Sequence, residues 1–128
     1  MAIHVVRLGT PRAAGESLRI GTVRRPPRGV PKSEFSKRDF YDVWLPTVAP
    51  SQAVMDIGHA AETPADWARF FQQYRKEMKR PDAAHAIALL AAMSHATDFS
   101  LGCYCEDEAH CHRHALRQLL LGAGALIR

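Results

Sequence analysis

Cysteine is scarce in this chain, with only three among 128 residues. An odd number cannot close a full disulfide framework, so a reducing cytoplasm is the expected compartment. Long hydrophobic runs are missing too. Nothing approaches the roughly 18 apolar residues that a membrane-spanning helix needs, so no membrane partner is expected. The opening MAIHVVRLGT lacks the charged start, long apolar stretch and small-residue cleavage site of a secretory signal. No segment repeats and no composition shift marks a boundary, so residues 1–128 read as one domain, long enough to bury a core without staples.

Charge is present but unevenly spread. The formal net charge is +4, and the stretch from Arg19 to Arg38 holds seven basic residues (Arg19, Arg24, Arg25, Arg28, Lys32, Lys37, Arg38) against the single acid Glu34. That stretch is the expected anion-facing surface. Its aromatics are few, Phe35 with Phe40 and Tyr41 just beyond, so base stacking has little to work with. Nucleic-acid binding through residues 19–38 is therefore an alternative, ranked below a small anionic ligand.

Periodicity supplies the elements. Ile3 to Leu8 reads as a short buried strand, and SLRIGTVRR as a second one. PPRGVPKSEF breaks regular structure, and Pro46 and Pro50 confine YDVWLPTVAPS to an irregular or edge segment. Thr63 and Pro64 start a helix whose stripe of Trp67, Phe70, Phe71, Tyr74 and Met78 reads as core packing without chemistry. A second helix follows Pro81, capped by Asp82 and apolar on nearly every side, which predicts burial on more than one face. TDFSLGCYC is a last strand, and a closing helix begins near Glu108, weakened by Gly122 and Gly124. This order predicts an α/β domain with helices flanking a small, mostly parallel sheet, and ligands in such folds bind beyond the carboxyl ends of the strands.

GCYCEDEAHCHRHA, residues 102–115, lies at such an end and holds every cysteine and three of the seven histidines. Strand alternation puts Cys103 and Cys105 on one face. Helical phase puts His112 inward on a stripe with Leu116 and Leu119, and leaves His110 and His114 solvated. Cys111 and Arg113 flank His112. One reading is a zinc site of Cys103, Cys105, Cys111 and His112, chemically apt but poorly spaced, because C-x-C is tight and consecutive helical residues diverge. A second is a reactive thiol at a helix N-terminus, aided by Arg113 and His112 but opposed by Glu106, Asp107 and Glu108. A third is a buried junction with no chemistry, since free cysteines pack well.

CYCEDEAHCHRHALRQLL resembles the closing signature of the domain-of-unknown-function 488 family. PPRGVPKSEF, YDVWLPTVAPS and IGHAAETPADWARFFQQYRKEM resemble segments of its YeaO-like branch, so the likeness runs from about Ile20 to Leu121. Val23 stands where many members of that branch carry an aspartate. The resemblance implies an α/β fold, a bacterial cytoplasmic setting and a site drawn from Arg24, Arg28, His59, Tyr74, Arg75, Cys105, Cys111, His112 and Arg113, but it names no substrate. His59, after Gly58, reads equally as a turn residue, and Tyr74 as core. Taken together, these observations predict a pocket for a small ligand bearing phosphate or carboxylate, bound by Arg24, Arg28, His59, Arg75 and Arg113. His112 would carry the proton, and Cys105 or Cys111 would be the nucleophile or redox group. No cofactor is required, with zinc the one alternative.

Overall fold

A computed structural model describes residues 1–128. Four strands, β1 (Ile3–Arg7), β2 (Leu18–Gly21), β3 (Val43–Trp44) and β4 (Phe99–Cys103), form one sheet in the order β1-β4-β2-β3 with every neighbouring pair parallel. Four helices, α1 (Gln52–Ala60), α2 (Pro64–Glu77), α3 (Pro81–Met93) and α4 (His112–Gly122), complete the α/β architecture expected from the sequence. The C-terminal segment extends the sheet beyond β1, through Ile3 N–H to Leu126 O at 2.8 Å and Arg128 N–H to Ile3 O at 2.9 Å.

Alternation along the strands divides the sheet into two faces. Ile3, Ile20, Phe99 and Leu101 share a core of 17 buried residues to which all four helices contribute. The opposite face, with Arg19, Gly21, Ser100 and Gly102, is covered by the loops around residues 8–17 and 39–42 rather than by helices. Gly21 and Gly102 are register partners there. A Cβ on Gly21 would lie 2.4 Å from the Tyr41 ring, and one on Gly102 would lie 2.4 Å from Leu8 Cδ2. Gly21→Ala is expected to cost about 1–3 kcal/mol in urea unfolding, because the rigid ring cannot retreat. Gly102→Ala should cost less, since Leu8 is flexible. Gly122→Ala, with open space around it, should leave the midpoint unchanged or raise it.

Several local expectations change. α1 leaves little periodic signal in the sequence, because it is short and buries fully only Val54. Ser51 caps it, and His59 therefore sits in its last turn, not in a loop. Arg80, with no side-chain cap, is the N-cap of α3, while Asp82 lies in the first turn. α3 buries one face only, and Leu89 stays 61% exposed. β2 stops at Gly21, although Thr22 N–H still bonds Gly102 O at 2.9 Å. No helix is long and apolar enough to cross a membrane.

Candidate functional site

β1, β2 and β4 end together, and the chain leaving each of them meets the start of α4. A 3₁₀ turn over Glu108–His110 precedes α4, so the helix begins at His112 and not near Glu108. Cys111 is its N-cap, in extended conformation at φ −146°, ψ 152°. That one residue explains why Cys111 and His112 converge although they are adjacent. The divergence expected of consecutive helical residues does not apply, because Cys111 is not helical.

His112 is buried and doubly anchored. Its Nε2 lies 2.7 Å from Thr22 O and 3.2 Å from Thr22 Oγ1. A carbonyl oxygen can only accept, so Nε2 carries a proton, and Nδ1 is the nitrogen that exchanges a proton with Cys111. That Nδ1 faces Cys111 Sγ at 3.8 Å. Cys103, pointing from β4 to the helical face, donates its S–H to Cys105 Sγ at 3.7 Å. Cys103 and Cys111 are buried, and Cys105 is exposed.

Three thiols in contact do not ionise together. The neighbouring thiols of Cys103 and then Cys105 hold Cys111 well below the ordinary thiol range against the cost of burial, and His112 adds to the effect. Cys103 is pushed up by its bonds to Cys105 and Cys111 and by burial. For Cys105 the Cys103 bond lowers the value, but the bond to Cys111 and burial raise it further. Of the three thiols, Cys111 is the one the surroundings favour as thiolate. Its position at a helix start points the same way.

The acids expected to oppose that charge are held elsewhere. Glu106 pairs with Arg7 at 3.4 Å, Asp107 caps the 3₁₀ turn through Ala109 N–H at 3.0 Å, and Glu108 forms a two-bond pair with Arg117 at 2.8 and 2.9 Å. The first turn of α4 contains no acid. Arg113, 4% exposed, donates to Val6 O at 2.8 Å and Cys105 O at 2.6 Å, and its Nε has no partner. It ties α4 to the ends of β1 and β4 as a buried cation that forms no ion pair within 4 Å.

A cavity of about 770 Å³ opens over this corner. Cys103, Cys105, Cys111 and His112 form its floor, Trp67 and Phe70 one side, Phe40 and Tyr104 another, and Arg24, Arg25, Arg28 and His59 its polar edge. Arg28 makes no hydrogen bond or ion pair, whereas Arg24 is committed to Pro50 O at 3.0 Å, Ala49 O at 3.2 Å and Pro46 O at 3.3 Å. Arg19 does not belong to an anion-facing surface at all. It is 1% exposed and pairs with Glu16 at 2.7 Å on the opposite sheet face. Arg75 and Arg113 do not line the cavity. Arg75 bonds Gln118 and lies over the Phe71 ring. Tyr74 is core, its hydroxyl donating to Val48 O at 2.7 Å, with its ring against His112 at 5.5 Å.

Two expectations about the aromatics are corrected. His110 is not simply solvated, because it stacks on Trp67 at 4.6 Å with 12° between the planes, and His114 leans on Phe71 at 5.3 Å. Trp67, read from its spacing as core, is a half-buried cavity wall. Its position at the first turn of the stripe, away from the middle of the helix, was the available signal.

The family model described as "Active DUF488-N3 subclade" matches residues 3–124. The chain belongs to the DUF488 family. Within this DUF488 chain the match spans every strand and helix of the fold, and the YeaO-like branch suggested by sequence is compatible with it. No curated protein and no solved structure matches the chain. The ligand atoms of Cys103, Cys111 and His112 lie within 4.8 Å of one another, so this cluster can hold a metal ion.

Proposed function

We propose that the chain is a thiol-dependent enzyme acting on a small anionic ligand, with Cys111 as nucleophile and His112 as proton carrier. The observation that carries this reading is the contact of Cys111 Sγ with His112 Nδ1 at 3.8 Å while Nε2 is held on Thr22 O at 2.7 Å. A nucleophile, a base and a group orienting the base are the parts that activated thiols share. Arg25 and Arg28 at the cavity edge supply positive charge for a phosphate or carboxylate. Buried Arg113, donating to Cys105 O at 2.6 Å, adds to the positive field of the corner.

Alkylation with iodoacetamide across pH, read by mass spectrometry on the folded chain, tests the reading. Cys111 should be modified well below the pH at which an ordinary thiol reacts. Slow reaction of all three cysteines with an ordinary thiol profile would overturn it.

Zinc binding is the second reading, and one observation favours it. The spacings of 3.7 Å between Cys103 and Cys105 and 3.8 Å between Cys111 and His112 are close to ligand separations around a tetrahedral ion with Zn–S bonds of about 2.3 Å. Cys103, Cys111 and His112 form the close donor group, and Cys105, in contact with Cys103, would be the fourth ligand of a Cys₃His set. Elemental analysis near one zinc per chain, with a melting temperature lowered by chelation, would decide for zinc as a structural ion in an interaction module. Metal-free protein with an unchanged melting temperature would decide for the thiol.

A further inference from the structure

The cavity over the thiol corner is far larger than a phosphate ion or a short dicarboxylate would fill. Its volume of about 770 Å³ lies in the range of roughly 300–1,000 Å³ that encloses drug-sized ligands. Both of its sides are aromatic. On one, Trp67 is half-buried and meets Phe70 edge-on, with ring centroids 5.7 Å apart. The His110 imidazole, which also lines the cavity, lies nearly parallel to the Trp67 ring at 4.6 Å, so this wall already carries one stacked planar ring. On the other side Phe40 and Tyr104 meet at 6.2 Å, and the Tyr104 hydroxyl is committed to Arg25 O at 2.9 Å. The walls therefore offer ring faces and edges rather than hydrogen bonds. Pro26, Pro27, Pro50 and Met55 add further apolar surface.

Charge on the lining has one sign. Arg24, Arg25 and Arg28 lie on the edge, and no aspartate or glutamate lines the cavity. The three cations are not equally available. Arg24 bonds three backbone carbonyls and Arg25 reaches Gln52 Oε1 at 3.3 Å, whereas Arg28 is exposed and makes no hydrogen bond or ion pair. An unpaired guanidinium on the edge of an aromatic-walled cavity is complementary to a ligand that joins a planar ring to an anionic group. We propose that the cavity binds an aromatic anion, its ring between the Trp67 wall and the Phe40 and Tyr104 wall and its carboxylate or phosphate on Arg28. This rests on the anionic ligand of the preceding reading and narrows it to one chemical class. It requires neither an ionised thiol nor a metal ion at the floor.

Isothermal titration calorimetry on the full-length chain at low salt tests the proposal with three probes. They are naphthoate, the neutral naphthylmethanol with the same ring, and adipate, which has charge but no ring. Naphthoate should bind once per chain and about tenfold more tightly than either of the others. Arg28→Gln, at an exposed position without partners, should weaken naphthoate about tenfold and leave naphthylmethanol unchanged. Trp67→Leu should weaken both ring-bearing probes about fivefold, which locates the ring on that wall. Adipate binding as tightly as naphthoate would overturn the aromatic class and leave an anion pocket standing. Equal binding of naphthoate and naphthylmethanol, or an unchanged affinity for naphthoate in Arg28→Gln, would overturn the charge requirement. No binding of naphthoate would overturn the proposal outright. If alkylation of Cys111 were still fast at low pH in that case, the nucleophile would stand and only the ligand class would fall.

Discussion

Arg19→Met is expected to lower folding stability by about 3–5 kcal/mol at neutral pH, because it leaves the buried Glu16 carboxylate without its partner. Arg19 is 1% exposed and Glu16 6% by side chain, and their primary contact is 2.7 Å. The guanidinium also donates to Thr10 O and Asp39 O, each at 2.7 Å, and so holds the loops over the helix-free sheet face. Burial raises the Glu16 carboxyl, but Arg19, the Ala13 N–H and the Ser100 hydroxyl outweigh it and bring the pKa from 4.5 to about 2. A carboxyl depressed in the fold stabilises above its unfolded value, and that contribution is lost as pH falls from 4.5 through about 2. The shift corresponds to about 3 kcal/mol. The gap between wild type and Arg19→Met in urea unfolding should therefore narrow as pH falls below about 4. The double variant with Glu16→Gln should regain part of the loss at neutral pH. A constant gap at every pH would mean that the pair acts by packing alone.

His112→Gln should slow alkylation of Cys111 at pH 6, by less than the roughly hundredfold that full return to an ordinary thiol with a pKa near 8.5 would bring, because Cys103 and Cys105 still hold the thiol down. The amide can still donate to Thr22 O but cannot accept a proton, so the position of the side chain is kept while its basic nitrogen is lost. At about pH 10, where any thiol ionises, the two rates should approach each other. That convergence separates loss of a base from a collapsed cavity, which would alter the rate at every pH. Thr22→Val is the informative companion. It removes the contact of Oγ1 at 3.2 Å and keeps the carbonyl at 2.7 Å, so it should change the low-pH rate only slightly.

The parts of this molecule legible in the amino-acid order are those governed by local spacing. The β-branched run at Ile3–Arg7, the Thr63 cap with Pro64 and the inward phase of His112 each follow from a period or a terminus that neighbouring residues define. α1 escaped notice because nine residues with one fully buried side chain carry little periodic signal. Charge was the most misleading guide. Arg19, Arg24 and Arg113 look like equals of Arg28 in the sequence, yet the first pairs with Glu16 and the other two bond backbone carbonyls. Such partners lie between 3 and 107 residues away, and no pattern along the chain reports them.

The same distinction governs the thiol corner. Sequence determined that three cysteines and His112 gather at the end of β4 and the start of α4, since all lie within residues 103–112. Tertiary structure decided which of them the surroundings favour as thiolate. Thr22, 90 residues away, sets the tautomer of His112, and the extended conformation of Cys111 turns its sulfur toward that ring and toward the other two thiols. Ligand type is a local property of the chain, whereas ionisation depends on neighbours and burial that only the fold brings together.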